Sequence, residues 1–342
     1  DLKVLDLSRL LPGGFCSLIL ADMGADVLKI EDTGGGDYMR WAPPYVGDEE
    51  HSGLGTRSAL YLALNRNKRS ARLDLKSAGG REAFLRLARS YDVVLESFRP
   101  GVLDRLGVGY DVLREVNPGL VYCAITGYGQ SGSQSQRAGH DINYIALTGA
   151  LYAIGSKSSG PVPPLNLIGD FGGGALYMAL GALAAYIEAQ RSGRGQVVDT
   201  SMVEGAASLM TAAFGARAAG SFLEERETNR LDGGCHHYNT YETSDGEHIC
   251  IGSNEPQFYQ LMLKTVGLDA ETLPDQSDRE HWPMMRDKLQ AIFKTKTRTE
   301  WTEVMQDIDV CFAPVLRMGE ALKHPQNVHR GSFVELDGVP QP

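Results

Sequence analysis

The chain has 342 residues, enough for about two domains of roughly 150 residues each. Its 42% hydrophobic and 22% charged content is that of a folded globular protein; no apolar run approaches the roughly 20 residues of a membrane helix, and a formal net charge of −10 argues against general nucleic-acid binding. Five widely spaced cysteines without a C-x-x-C argue against a disulfide framework or a zinc site and suit a reducing compartment.

The first half alternates strand and helix signals. Residues 3–7 read as a strand and residues 14–24 as a helix with Phe15, Leu18, Ile19 and Met23 on its apolar face. Strands follow at 26–30, 70–75, 92–98 and 120–126. Residues 79–90 form an amphipathic helix, with Ala83, Phe84, Leu87 and Ala88 on one side and Arg81, Glu82, Arg86 and Arg89 on the other. Such alternation predicts a parallel, helix-covered sheet. Residues 155–164 read as a loop, and 172–191 and 201–219 as long helices. Beyond a polar linker, 238–243 and 247–252 flank Ser244-Asp245-Gly246, a hairpin signal. Helices are expected at 256–266, 281–293 and 299–306. The predicted fold is α/β: a Rossmann-like parallel-sheet large domain over 1–200, rejoined by 325–342, a helical linker over 201–231, and a smaller α+β domain over 232–324.

Several segments carry candidate chemistry. Gly139-His140-Asp141-Ile142-Asn143-Tyr144 opens a helix after a polar loop. The positive end of a helix depresses a histidine's pKa and suits a neutral base, but an ordinary capping segment reads the same way. Asp170 precedes Gly172-Gly173-Gly174 at the expected start of a long helix. It is either a cap or a carboxylate whose neighbouring N–H groups meet a developing oxyanion. Arg57, Arg66, Lys68, Arg69 and Arg72 form a basic cluster on an acidic protein, either a polyphosphate site or a solvated face. Arg99, with Arg105 shortly after, follows a strand, where α/β sheets bind ligands. Glu255 precedes Pro256 at a helix start, as a cap or as a functional carboxylate. Cys235-His236-His237 lacks further ligands at metal spacing. The phosphate-binding glycine fingerprint of nicotinamide enzymes is replaced after the first strand by Leu11-Pro12-Gly13-Gly14.

Taken together, Leu7-Ser8-Arg9-Leu10-Leu11-Pro12-Gly13, Ala21 to Val27, Arg99-Pro100-Gly101, Gly139 to Tyr144, Pro164 to Leu167, Gly169 to Gly174, Leu231 to Gly234 and Glu255 to Tyr259 resemble the class III CoA-transferase (CaiB/BaiF-like) family over nearly the whole chain. Within it, they resemble the racemase branch that acts on 2-methylacyl-CoA thioesters. The resemblance implies an isomerase that removes and returns the α-proton through an enolate. A His–Glu pair, His140 and Glu255, would stand on one side of the α-carbon and Asp170 on the other. It implies CoA contacts at Arg99, Arg105, Gly139, Asp141, Ile142, Asn143 and Tyr144, with Lys68 and Arg69 toward the nucleotide phosphates. It also implies an interlocked homodimer, in which Glu255 of one copy serves the other. No metal or separate cofactor is expected, since CoA is part of the substrate. The transferase branch would use Asp170 as a nucleophile, and a third reading is a CoA-binding protein without catalysis. The N–H of Asp170 and the glycine-rich helix start are expected to hold the enolate oxygen. Cys235-His236-His237 and Ser253-Asn254 depart from the family's usual residues and leave the acyl preference open. The expected setting is intracellular and soluble: cytoplasm, peroxisome or mitochondrion.

Overall fold

The computed structural model describes residues 2–47 and 58–342, so Arg57 of the basic cluster lies outside the described residues. The chain divides into two compact units. One comprises Asp1–Leu151, Pro163–Ala212 and Val334–Pro342; the other comprises Tyr152–Val162 and Ala213–Phe333.

The first unit is built on the parallel sheet that the alternation predicts. Its strands are β1 (Lys3–Asp6), β2 (Asp26–Glu31), β3 (Lys68–Arg72), β4 (Val93–Glu96), β5 (Val121–Thr126) and β6 (Val197–Ser201), in the order β3-β2-β1-β4-β5-β6. The winding runs outward from β1 through β2 and β3, then restarts on the other side of β1 with β4. Such a reversal leaves a crevice at the carboxyl ends of the central strands. Both faces are covered. Val4, Val93 and Val121 pack with Leu20 of helix α1 (Leu10–Asp22), while Leu5, Val94 and Ala124 pack with Phe84 of α2 (Ala78–Ala88). Burial on both sides is why β4 and β5 read as unbroken apolar runs.

Three differences from the sequence reading matter for the site. Helix α1 starts at Leu10, four residues before the apolar periodicity, so the Leu-Pro-Gly-Gly stretch is helical rather than a loop. Pro12 is tolerated because the first four N–H groups of a helix lack intrahelical acceptors. Ahead of α4 (Tyr177–Ser192), the chain already winds as a π-helix over Leu167–Leu176, so Asp170 lies inside a helical segment and not at a cap. The expected helix over 201–219 is preceded by β6 and breaks into α5 (Met202–Leu209) and a second piece, Thr211–Ala218, with α3 (Asp141–Ala146) earlier in the chain. Residues Leu167–Ser192 are long and apolar enough to cross a membrane by length and composition. Met178, Ala182 and Ala185 nevertheless pack into the sheet's core, as in the central helix of a folded domain.

In the second unit, β7 (Tyr238–Glu242), β8 (His248–Gly252) and β9 (Phe312–Pro314) form an antiparallel sheet in the order β9-β8-β7. Helices α6 (Pro256–Thr265), α7 (Trp282–Phe293) and α8 (Arg298–Met305) supply Met262, Leu289 and Trp301 to its core. His236 and His237 are 1% exposed and pack edge-on against Tyr259. Burial lowers their pKa values to about 3 and about 4. They are interior packing groups.

Behind α1 the first unit buries a set of charges. Lys29 Nζ lies 2.9 Å from Asp37 and 3.9 Å from Asp6, and it donates to the Ser8 carbonyl at 2.8 Å. Burial opposes ionisation of Asp6, but Lys29 and Lys68 outweigh it and hold the carboxyl below its usual range. Asp6 in turn accepts from Ser8 and Ser17. This set fixes the turn that follows β1. Removing one partner of a buried charge group strands the others. Lys29→Met is therefore expected to cost about 3–5 kcal/mol of stability, read by chemical denaturation against wild type.

Candidate active site

A cleft of about 540 Å³ opens at the carboxyl ends of β1, β4 and β5. Its volume suits a small ligand or one end of a larger one. The turn after β1 contributes Arg9, the start of α1 contributes Leu10 to Pro12, the turn after β4 contributes Ser97 to Pro100, and the loop before α3 contributes Arg137 to His140. Asp170 and Tyr144 complete one wall.

His140 is the N-cap residue of α3, in extended backbone, and its N–H donates to Asn143 Oδ1 at 3.0 Å. The bond makes the helix start rigid and leaves the imidazole exposed in the cleft. Tyr144, one turn on, is buried; its hydroxyl donates to the Gly139 carbonyl and its ring packs edge-on against Tyr128. Asp170 comes from the π-helical segment and is 9% exposed. Its Oδ2 accepts from Asn166 Nδ2 at 3.2 Å. Burial raises its pKa above the usual carboxylate value; the bond from Asn166 opposes this, nearby Asp141 adds to it, and His140 counters it. π-Helical turns recur at functional sites because the wider turn re-aims side chains. The extra width is accommodated against α5, where a Cβ on Gly205 would stand 1.8 Å from the Gly173 carbonyl oxygen.

The structure thus brings His140, Asp170, Arg99, Gly139 and Tyr144 into one cleft. Arg105 is exposed on the short helix Val102–Arg105, and its guanidinium lies over Gly101, beside the Arg99-Pro100 rim. Ile142 and Asn143 are exposed on α3, next to the cleft. Asp141 is different. It is buried, and its Oδ2 accepts the N–H groups of Gly169 at 2.6 Å and Asp170 at 2.7 Å. Its side chain therefore points under the site rather than at a CoA. The Asp170 N–H is occupied as well and, contrary to expectation, is not free to hold an enolate oxygen. Lys68 and Arg69 are also not on the cleft wall. The Lys68 ammonium is buried, donates to Gly14 O and Asn65 Oδ1, and has its pKa lowered by burial to about 7. Arg69 pairs with Asp26, the first residue of β2, at the opposite end of the sheet. Glu255 is exposed at the N-cap of α6 in the second unit.

Two cleft arginines escaped the sequence reading. Arg9, stacked 5.5 Å from the Phe98 ring and paired with Asp32, lies in the turn after β1; Arg137 lies just past a polar loop. Their position after a strand end and before a helix start was the available signal. With Arg99 they make the mouth of the cleft cationic on an acidic protein, which suits a phosphate-bearing substrate.

Residues 1–341 match the family model of CoA-transferase family III. The chain belongs to this family. Its relatives include the mouse (Mus musculus) alpha-methylacyl-CoA racemase, 43% identical over 99% of this chain and 83% of that protein. The human (Homo sapiens) alpha-methylacyl-CoA racemase is 41% identical over 100% of this chain and 84% of that protein. A CAIB/BAIF family protein from Brucella suis has the same fold, with a TM-score of 0.85 at 28% identity, covering 100% of this chain and 90% of the solved one. The doubly wound sheet and its crevice are thus features of a family III chain.

Glu96, at the end of β4 beneath the Arg99 turn, is 3% exposed and accepts the Phe98 N–H at 2.6 Å. Burial raises its pKa from 4.5 to about 7, against the bonds from Phe98 and Tyr122 and with Asp104 and Asp199 adding. The folded state therefore keeps a proton that the unfolded chain releases at lower pH. Stability is lost as pH rises through this window. Urea denaturation between about pH 5 and pH 8 is expected to show a decline that Glu96→Gln flattens.

Proposed function

We propose that this chain interconverts the (R) and (S) forms of 2-methylacyl-CoA thioesters by α-proton transfer. The observation that carries this is the meeting of His140 and Asp170 in one cleft, in a chain that is 43% identical over nearly its full length to a racemase. An α-carbon next to a thioester inverts only if a proton leaves one face and a proton arrives on the other. That calls for two groups of opposite protonation state. An exposed imidazole is suited to take the proton. A carboxyl raised by burial is suited to hold one until it is delivered. In the reverse direction the roles exchange. The proton count balances over the cycle and no oxidation state changes.

Each positioned acid or base contributes about 10²–10⁴-fold. The N–H groups of Asp141 and Ile142, at the start of α3 beside His140, would hold the enolate oxygen, since those of Asn143 and Tyr144 already bond to the His140 carbonyl. Arg9, Arg99 and Arg137 attract the phosphates of the CoA moiety. For Glu255 we propose the part that a carboxylate plays beside an imidazolium, orienting it and offsetting its charge. The chain would act as a homodimer in which Glu255 of one copy serves His140 of the other.

Incubating one enantiomer of a 2-methylacyl-CoA in deuterated water tests the activity. Wild type is expected to exchange the α-proton and scramble the configuration. His140→Ala and Asp170→Ala are expected to lose about 10²–10⁴-fold of that rate. Absence of both exchange and inversion in wild type refutes the proposal. Transfer of CoA to a free carboxylate, with a hydroxylamine-sensitive adduct at Asp170, would identify a transferase instead. Refolding His140→Ala together with Glu255→Ala checks the shared site: only a site built from two copies regains activity in the mixture.

A further inference from the structure

We propose that the Asp141 side chain is a positioning residue that locks the His140 and Asp170 segments into one rigid pair. Its kinetic consequence rests on the racemase reading above; its structural part does not. Asp141 directly follows His140 and is 4% exposed. One carboxylate oxygen, Oδ2, takes the N–H groups of both Gly169 and Asp170, at 2.6 and 2.7 Å. Bonds from N–H to a carboxylate are among the stronger hydrogen bonds, and two to one oxygen fix the direction of the segment as well as its distance. Position 169 is glycine for the same reason: a Cβ there would stand 2.8 Å from Oδ2 and 3.0 Å from Cγ. Two segments nearly thirty residues apart in sequence are thereby held across a single carboxylate.

The other oxygen, Oδ1, is buried and has no hydrogen-bond partner among the described residues. The charge of Asp141 is therefore not spread over further donors, and it acts on the carboxyl beside it. The titratable groups facing Asp170 are His140, Asp141 and Tyr144, all from the loop end and first turn of α3. Asp170's own segment offers Asn166, and α1 and α5 pack the apolar Phe15 and Met202 against that segment at Phe171 and Gly174. Among these groups Asp141 favours the protonated form of Asp170 and His140 opposes it. Two bases on opposite faces of one carbon also demand a fixed separation, since a misplacement of about 1 Å costs about 10²-fold in rate.

Two variants separate geometry from charge. Asp141→Asn keeps an oxygen for the two N–H groups and removes the charge. Gly169→Ala keeps the charge and pushes the carboxylate off the N–H groups. The Asp170 carboxyl is followed by NMR in protein labelled at aspartate carboxyl carbons, its signal assigned by loss in Asp170→Asn. Asp141→Asn is expected to move the Asp170 midpoint to lower pH. Gly169→Ala is expected to lower kcat for α-exchange by about 10²-fold with KM nearly unchanged. An unmoved midpoint in folded Asp141→Asn, or an unchanged kcat in Gly169→Ala, overturns the proposal. If Asp141→Asn does not fold, Gly169→Ala decides by itself. If wild type exchanges no α-proton, the racemase reading falls, and the Asp170 midpoint still decides whether Asp141 controls its neighbour.

Discussion

The reversal of winding between β1 and β4 is the constraint on which the first unit depends. Neighbouring strands lead their connections away from each other at that point, so the sheet's carboxyl edge is left open there. Everything that lines the cleft arrives by continuing a strand past its end. β1 runs into Arg9 and α1, β4 into Phe98 and Arg99, and β5 into the loop that ends at His140. The connections are free to carry polar and charged groups because the strands beneath them are buried on both faces.

An open crevice needs a stiff floor, and here the floor is built of buried ionisable groups. Asp6, Lys29, Lys68 and Asp37 stand behind the turn after β1, and Glu96 stands behind the turn after β4. Asp6 accepts from Ser8 in the turn after β1, and Glu96 accepts from Phe98 in the turn after β4. Burying such groups is costly unless their partners are fixed, so the turns have little freedom to rearrange. Asp141 repeats the device on the third side, under Asp170. The functional candidates face the cleft, and their close relatives in charge face inward and hold them.

The second unit has a different logic. Its antiparallel sheet and three helices make a separate core, closed by the aromatic packing of Tyr241, Phe293 and Trp301 and extended by His236 and His237. Two adjacent histidines invite a metal reading from sequence. In the fold they are kept neutral by burial and serve as flat packing surfaces.

By itself, the sequence determined the alternation of strands and helices, the two-sided burial of the sheet and the position of Glu255 at a helix start. It also determined that His140 opens a helix and that Asp170 lies beside a glycine-rich one. These follow from local rules, the period of apolar residues and the preferences of helix ends, which act within a few residues. Tertiary structure decided the rest. The strand β6 is more than half polar and β9 is only three residues long, so they are strands only because a neighbour completes their hydrogen bonds. Lys68 and Arg69, adjacent in sequence, point to opposite faces of an edge strand, one into the buried charge set and one to Asp26. Asp141 and Asp170 read alike as helix-start carboxylates. Only the packing of α3 against the π-helical segment made one the support and left the other facing the cleft, because which carboxylate is buried depends on partners that lie far away in the chain.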